Sequence, residues 1–593
     1  MKTKKVISML LCLCTIGTTT ACGITGSSGG NGNGKKMILN VINTMGGIGS
    51  VWLDDAIERY EELAQDKVYG EKIGVDVEYD IGVSPQENIS QTDATDIIVI
   101  ERTHLNDYVQ KNLVLDLTDL YAKESAYGDA KLQDRILPSA KGNVVGMDGK
   151  YYGLPHYEYF SGLSYNKKLF DESGYYFALN EENGVYMSTD YGSAYFVKDA
   201  NSQKSYGPDG KTGVENGVNY SADDGLPSTL EELIILCAQM KSEGVEPIQL
   251  SGQYINYSNA LMNGLWASLA GYDQIQTFYT YEGKVEAIQV VPGANLNEST
   301  LSYSSDNVFE GINYIKKPNT EWIDISLDNG YRVKDMAARY YAAAFLKIAE
   351  EEGFLSADSK INTVSHTGAQ RNFLVGDKTG KGAKMGMLCE NTYWWNETII
   401  NDVDQDYEDL TGEDFDDLDI RFMPLPTYVN EEQKQASQRT DDTNVLVDTS
   451  YAVMLAQKHV EKDANRKQAV LDFLEFLYCE EELKNFTKST GIGRGFNYSV
   501  SAENDLAPKG TFLSDLWDLR SRSKVLYHAA DNKIFKAYGS SLTIAVWGET
   551  WRNGNADNFL VSYRDNGSAV ADLIQMGRVS AATWANWKAE LGI

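Results

Sequence analysis

Residues 36–52, KMILNVINTMGGIGSVW, combine a short apolar strand, a glycine-rich turn and the start of a helix. Apolar residues recur at helical spacing from Trp52 to Leu63, which predicts an amphipathic helix after the turn. Two more strands are predicted, Val75–Ile81 and Asp96–Ile100, and the second is apolar after its first residue, as in a parallel strand covered on both faces. This order predicts a doubly wound α/β sheet with its ligand site at the carboxyl ends of the strands.

The N-terminal 36 residues predict export and anchoring rather than a folded domain. A lysine-rich start precedes an apolar run too short to span a bilayer, which predicts a signal peptide over residues 1–21. Residues 19–22, TTAC, resemble the lipobox in which Cys22 receives lipid, although Thr19 replaces the usual Leu. Ordinary secretory cleavage after Ala21 is the alternative. The Gly- and Ser-rich stretch up to residue 36 is typical of a flexible tether.

Composition narrows the class of protein. The net charge of −32 argues against a nucleic-acid partner, because phosphates require Lys and Arg. A chain of 593 residues exceeds one hydrophobic core and predicts two or more lobes. Ten Trp and 37 Tyr suit the apolar faces and hydroxyl rims of sugars, although most of these rings must serve packing. Beyond Cys22, three widely spaced cysteines predict buried thiols rather than a disulfide framework: Cys237, Cys389 and Cys479.

Motifs between residues 38 and 498 carry a family resemblance through their order. They are Gly149–Pro155, Gly162–Phe170, Leu226–Leu233, Pro247–Gly252, Lys384–Met387 leading to Tyr393-Trp394-Trp395, Phe422–Pro426, Ala469–Tyr478 and Gly491–Gly493. This succession resembles the extracellular solute-binding proteins of carbohydrate ABC importers, the relatives of maltose-binding protein.

The resemblance implies a fold of two α/β lobes, the type II arrangement of periplasmic binding proteins, with a ligand cleft between the lobes. It implies chain crossings near 154–163, 419–427 and 493–500. Lobe one then combines 37–155 with 427–495, and lobe two combines 160–420 with 500–593. Residues 180–225 are a polar insertion of hairpins and loops relative to a compact family member.

Candidate sugar contacts are aromatic or polar residues expected at strand ends and crossings, because sugars need flat rings and hydroxyl-binding groups. Each also has a packing or ion-pairing alternative. Alternation along a strand places Glu158 opposite Tyr157 and Tyr159, and we favour the two tyrosines slightly. Of the adjacent tryptophans 394 and 395, one at most is expected to face the ligand. The full candidate set is Trp52, Glu101, Tyr157, Glu158, Tyr159, Gln253, Tyr257, Asn391, Trp394, Trp395 and Arg494.

The sequence offers no metal or cofactor site that we would propose. Carboxylates from Asp402 to Glu413 have several calcium-loop spacings, but Tyr407 stands where the turn requires Gly, so we expect a solvated acidic loop. The glycine cluster at 46–49 lacks the dinucleotide-binding fingerprint. Five scattered His and no Cys-x-x-Cys give no transition-metal motif.

The expected function is therefore capture of an oligosaccharide for an ABC permease, without catalysis. No nucleophile elbow or phosphate loop is found in the sequence. We expect a monomer held by lipid at Cys22 on the outer face of a bacterial cytoplasmic membrane. A secreted glycan hydrolase, which needs only two carboxylates, and a surface sugar receptor without transport remain the alternatives.

Overall fold

The structure is a computed structural model of the chain. It describes residues 35–44, 47–81, 95–101, 105–215, 218–254, 256–291, 294–360, 363–380, 382–437, 439, 443–448, 452–509, 511–527, 532–542, 551–552, 555–556, 569–575 and 577–593. The predicted signal peptide, Cys22 and most of the tether lie outside these residues. Among the described helices, none is both long enough and apolar enough to cross a bilayer.

The first of two principal sheets joins segments that are far apart in the sequence. Its strands lie in the order Val75–Ile81, Met37–Asn43, Ile97–Ile100, Val453–Ala456 and Leu154–Pro155. The first three are parallel, and Val453–Ala456 runs antiparallel to both of its neighbours. The three strands predicted from sequence are confirmed, with ends that shift by at most one residue.

The second sheet has the order Glu246–Gln249, Met385–Asn391, Ser161–Asn166 and Ile420–Met423. The first two strands are parallel, and Ser161–Asn166 is antiparallel to its neighbours. The carboxyl ends of the parallel pair and the amino end of Ser161–Asn166 therefore lie at one edge. That edge leads into the crossing from the first sheet at residues 156–160.

Smaller strand pairs and helices complete the fold. The remaining strands are Val68–Tyr69 with Lys72–Ile73, Tyr176–Phe177 with Gly192–Val197 and Val185–Thr189, Val214–Glu215 with Val218–Asn219, Gly283–Ile288 with Thr320–Ile325, Tyr303–Asn307 with Lys316–Pro318, Val445–Asp448 with Lys524–Tyr527, and Trp551–Arg552 with Asn555–Ala556. The α-helices are Val51–Leu63, Leu105–Gln110, Thr118–Ala122, Leu132–Arg135, Pro138–Lys141, Lys167–Ser173, Leu230–Ser242, Asn256–Thr280, Ala337–Glu351, His366–Val375, Trp394–Ile400, Val403–Thr411, Glu431–Ala436, Ala464–Leu477, Glu480–Thr490, Thr511–Arg522, Lys533–Leu542, Val570–Gln575 and Ala581–Leu591.

Local sequence explains where several helices begin. Helix Val51–Leu63 buries Trp52, Ala56 and Tyr60, the spacing that predicted it. Helix Leu230–Ser242 starts with a capping box. The Thr229 hydroxyl accepts from the Glu232 N–H and the Glu232 carboxylate accepts from the Thr229 N–H, so two backbone donors at the helix start are satisfied. The three cysteines outside the leader region are buried and free, as predicted.

The acidic segment after residue 402 corrects one expectation. It forms helix Val403–Thr411 rather than a loop, because Val403 and Tyr407 lie one turn apart and are both buried. Among the described residues, no group of three or more His, Cys, Asp or Glu side chains has a metal-binding arrangement.

The insertion and the C-terminal tail are joined by a buried ion cluster. Arg522, the last residue of helix Thr511–Arg522, contacts Asp209 at 2.7 Å and Asp223 at 3.3 Å, and all three side chains are almost fully buried. Burial raises the pKa of Asp223 to about 7, against the lowering effect of Arg522. Residues 209–223 and the helix Thr511–Arg522 therefore support each other. The lobe boundaries drawn from the resemblance stay a prediction.

A second buried ion pair lies where the chain crosses between the sheets. Arg520 donates to both carboxylate oxygens of Glu158, at 2.5 and 2.6 Å, and the Tyr527 hydroxyl and the Gly495 N–H donate to the same carboxylate. Burial alone would raise the pKa of Glu158, but the Arg520 charge and these hydrogen bonds hold it below its usual value. Gly493 O accepts from the Glu158 N–H at 3.0 Å, so another crossing segment meets here. We call this set of contacts the Glu158 hinge cluster.

Replacing Arg520 by Met should destabilise the protein by about 3–5 kcal/mol, because Glu158 would remain as a buried, unpaired charge. The matched control is Arg371→Met, which removes the exposed pair with Asp406 and should cost about 0–1 kcal/mol. Chemical denaturation at pH 7 measures both variants. The Glu158 contribution is present above the unfolded carboxyl pKa and lost as the pH falls through the lowered folded pKa, so the difference between Arg520→Met and wild type should shrink in acid. Equal losses in the two variants would contradict a special role for the hinge cluster.

Candidate functional site

Three tyrosine rings meet between the two sheets. Tyr393, which follows strand Met385–Asn391, lies edge-on to Tyr157 at 6.0 Å and to Tyr159 at 5.2 Å between ring centroids. Tyr157 and Tyr159 belong to the crossing segment, whereas Tyr393 belongs to the second sheet. All three rings are buried, with Tyr157, Tyr159 and Tyr393 2, 5 and 7% exposed, so a sugar ring can stack on their faces only after the two sheets move apart at this junction.

The crossing segment separates its rings from its carboxylate. Tyr157 and Tyr159 both point toward Tyr393, while Glu158 points away into the hinge cluster. This alternation was predicted from sequence and is confirmed. The structure places the Glu158 carboxylate among protein donors, which gives it a structural role at the crossing.

Tyr393 also brings the two sheets into close approach. A Cβ atom added at Gly47, in the turn after the first strand, would lie 1.8 Å from Tyr393 Cδ2. Two further contacts lie nearby: Asn396 Nδ2 donates to Thr490 O at 2.6 Å, and Ile400 packs beside Gly49. The lobes are therefore in contact along this edge. Gly47 is needed there because a side chain would occupy the space of the Tyr393 ring.

A groove of about 530 Å³ adjoins this contact, which is within the usual size range of ligand pockets. It runs between helices Val51–Leu63, Trp394–Ile400 and Glu480–Thr490. Its lining combines an aromatic ring, apolar side chains, amides and charges: Trp52, Ile48, Ile399, Ile400, Asn396, Asn485, Asp55, Arg59 and Lys488.

Trp52 lies at the inner end of the groove in an aromatic and cationic cluster. Its ring is 5.1 Å from His156 and from Phe486, and the Arg494 guanidinium lies 4.5 Å from its centroid. Arg494 is fully buried and donates to Leu477 O and toward His156 Nδ1. Burial lowers the pKa of Arg494, and burial and the Arg494 charge lower that of His156, which is held neutral. The structure places Arg494 beneath Trp52, inside the protein.

Polar residues end the strands on both sides of the junction. Asn43 ends the first strand and is fully buried, and within the described part of the chain neither atom of its side-chain amide has a hydrogen-bond partner. Glu101 follows strand Ile97–Ile100 directly and is half-buried. Buried amide groups are costly unless they are hydrogen-bonded, so Asn43 is suited to an incoming ligand.

The second sheet contributes the other predicted polar residues. Asn391 ends its strand, where its amide donates to Glu390 Oε2 and accepts from the Tyr393 N–H at 3.0 Å. Asn391 thus positions the Tyr393 ring. Gln253 is exposed, and Tyr257 is half-buried with its ring parallel to His366.

Trp394 and Trp395 lie in the hydrophobic core instead of at the cleft surface. Trp394 donates from Nε1 to Ser164 Oγ, and Trp395 stacks against Phe415 at 4.4 Å and Phe512 at 5.6 Å. The helix begins at Trp394, so the residue before it, Tyr393, faces the other lobe while the two larger rings turn inward.

Sequence reasoning did not select Tyr393, Asn43, His156 or His366 as site residues. The position of Asn43 at the carboxyl end of the first strand was a usable signal, because the fold class places ligands there. The sequence analysis selected Trp394 and Trp395 as the aromatic contacts of this loop because their rings are larger, and Tyr393 beside them was not selected. The two histidines gave no signal, since both depend on contacts with residues remote in sequence.

Comparisons with known proteins bear on the family and on the fold. A family model described as bacterial extracellular solute-binding protein matches residues 53–357, which confirms the resemblance drawn from the ordered motifs. No curated protein matches the sequence significantly. A structure titled chitin oligosaccharide binding protein is 14% identical and covers 94% of this chain and 100% of its own, with a TM-score of 0.51. The apo-form of RafE from Streptococcus pneumoniae is 12% identical with the same coverages and a TM-score of 0.49.

The likeness to the chitin oligosaccharide binding protein, at this level of identity, bears on the fold alone. It confirms the predicted two-lobe α/β fold class.

Replacing Trp395 by Ala should destabilise the protein by about 3–5 kcal/mol, because the cavity would lie between Phe415 and Phe512. Trp322→Ala is the matched control: its ring is 43% exposed and should cost less than about 1 kcal/mol. Urea denaturation followed by circular dichroism measures both. A stable Trp395→Ala protein would contradict the core assignment.

Replacing Gly47 by Ala should hold the lobes apart, because the new methyl group would overlap the Tyr393 ring. We expect a larger radius of gyration in small-angle X-ray scattering, with the unfolding midpoint nearly unchanged. The double variant Gly47→Ala/Tyr393→Ala should restore the wild-type radius, since it removes the other partner in the overlap. An unchanged radius in the single variant would refute Gly47 as a closing contact.

Proposed function

Because the chain belongs to the bacterial extracellular solute-binding protein family, we propose that it captures an oligosaccharide between its lobes and delivers it to an ABC permease. The protein binds and releases this solute without chemical change. It acts as a monomer on the outer face of the cytoplasmic membrane, held there by lipid on Cys22.

The meeting of Tyr157, Tyr159 and Tyr393 is the observation that carries the sugar assignment. Aromatic faces stack on the C–H faces of sugar rings, and buried amides pair with hydroxyl groups. The Asn43 amide provides such a group at the carboxyl end of the first strand. A lining of rings with a few placed polar groups is the usual composition of a small-molecule site.

The structural neighbour titled chitin oligosaccharide binding protein supports the same class of solute. The predicted contacts that we retain as ligand-binding residues lie at strand ends, on the crossing or at the groove: Trp52, Glu101, Tyr157, Tyr159, Gln253, Tyr257 and Asn391. Asn43 and Tyr393 join them. Buried partners explain Glu158, Trp394, Trp395 and Arg494 without a ligand contact.

Binding by the mature chain should be tested by calorimetry with a panel of chito-, malto-, xylo- and raffinose-type oligosaccharides, followed by chromatography of each mixture. We expect reversible binding of at least one glycan, recovered intact. Tyr393→Ala should weaken that binding about tenfold, from the loss of one aromatic contact. Tyr186→Ala, which removes an exposed ring from the insertion hairpin, is the matched control and should bind normally.

Three outcomes would overturn parts of the proposal. Cleaved glycans would indicate the hydrolase alternative, and binding of peptides alone would remove the sugar assignment. Normal glycan uptake by cells that lack the gene, together with a lost transcriptional response to the glycan, would indicate a sugar receptor without transport.

A further inference from the structure

A polar and aromatic cluster at the ligand-facing edge of the second sheet has no part in the tyrosine junction. It consists of Tyr254, Tyr257, His366 and Glu397. His366 begins helix His366–Val375, and Glu397 lies one helical turn after Tyr393, on the segment that contacts the first lobe. The cluster therefore lies next to the contact between the two lobes. It is separate from the three rings of the crossing.

Hydrogen bonds join the loop that carries Tyr254 to the start of the helix that carries His366. The Ser251 hydroxyl and the Gln253 N–H both donate to Val364 O at 3.0 Å, which fixes the loop before Tyr254 against the start of the His366 helix. Ser365 caps that helix by accepting from the Gly368 N–H at 3.1 Å. His366 is thus placed by a rigid helix start rather than by a free loop.

Side-chain contacts fix the orientation of the His366 ring. His366 Nε2 lies 3.2 Å from Glu397 Oε1, and Gln370 Nε2 donates to Glu397 Oε2 at 2.6 Å and to Glu390 Oε1 at 3.2 Å. Because a carboxylate attracts a proton rather than a lone pair, the Glu397 contact favours a proton on Nε2, and when the ring carries a single proton Nδ1 is an acceptor. No partner for Nδ1 is found in the part of the chain that the structure describes.

The cluster opens to solvent on the side of the two tyrosines. The Tyr254 ring lies 5.5 Å from the His366 ring and is 40% exposed, and the Tyr257 ring lies parallel to His366 at 6.1 Å. The His366 side chain itself is 28% exposed. A sugar ring placed against Tyr254 would bring a hydroxyl group within reach of the imidazole.

We propose that His366 is a specificity-determining residue that accepts a hydrogen bond at Nδ1 from one hydroxyl group of a bound sugar. Glu397 and Gln370 are positioning residues that hold the imidazole in this tautomer. The inference rests on the proposed function. It predicts that the protein distinguishes glycans that carry a hydroxyl donor at this point from those that carry an ether or hydrogen there.

Two substitutions separate the two nitrogens of the ring. His366→Asn keeps an acceptor oxygen at the distance of Nδ1 from the backbone, whereas His366→Gln keeps a donor at the distance of Nε2 and removes the acceptor. Calorimetry uses the tightest-binding oligosaccharide of the panel and its deoxy and O-methyl derivatives. We expect His366→Gln to bind the parent glycan about five- to tenfold more weakly, as for one lost hydrogen bond, and His366→Asn to stay within about threefold of wild type.

The decisive readout is discrimination between glycans. In wild type, modification of one hydroxyl should weaken binding about five- to tenfold, and in His366→Gln the same modification should have no effect while the other hydroxyls keep theirs. Tyr254→Ala should weaken binding of parent and modified glycans alike, with Tyr186→Ala as its control.

The outcomes distinguish this inference from the proposed function. If wild type binds none of the glycans, both fail. If wild type binds and both His366 variants keep its affinity and its discrimination, the inference alone is overturned. If His366→Gln does not fold, His366→Phe takes its place, because it keeps a ring and removes the acceptor, and unchanged discrimination in that variant overturns the inference.

Discussion

The ion pair between Glu158 and Arg520 is the contact on which the relation between the two lobes depends. Glu158 belongs to the first crossing, Arg520 to a tail helix, and Gly493 and Gly495 to a third segment that bonds to the same residue. A buried carboxylate is tolerated only with paired charges and hydrogen bonds. These segments therefore cannot separate without exposing a charge, which makes the cluster a fixed pivot beside the tyrosine rings.

The tail helix Thr511–Arg522 provides the arginines of both buried ion clusters. Arg520 reaches the crossing, and Arg522, two residues later, reaches Asp209 and Asp223 of the insertion. The family model ends at residue 357, so Arg520 and Arg522 lie outside the matched segment, whereas Glu158, Asp209 and Asp223 lie within it. The tail helix thus braces both the crossing segment and residues 209–223.

Periodicity in the sequence predicted the helices and strands but not the tertiary contacts between them. The apolar strand Ile97–Ile100 and the spacing of Trp52 and Tyr60 are local signals, and the structure has both elements as predicted. The alternation of the crossing tyrosines with Glu158 is also local. Which ring meets the crossing segment depends on where a helix begins: Trp394 packs against Ser164 and Phe512, whereas Tyr393 contacts Tyr157 and Tyr159. The partners of Glu158 and His366 lie too far along the chain for any spacing rule.

The separation in sequence between the partners of the hinge has a consequence for how the molecule is made. Glu158 and Arg520 are 362 residues apart, and Tyr527 lies further still along the chain. The entropic cost of closing a loop grows only slowly with its length, so the position of the partners along the chain matters more than the length of the loop between them. The hinge cluster therefore cannot be complete until the chain has been made as far as Tyr527, after every strand of the two principal sheets. A nascent chain that ends before helix Thr511–Arg522 holds Glu158 without its ion-pair partner.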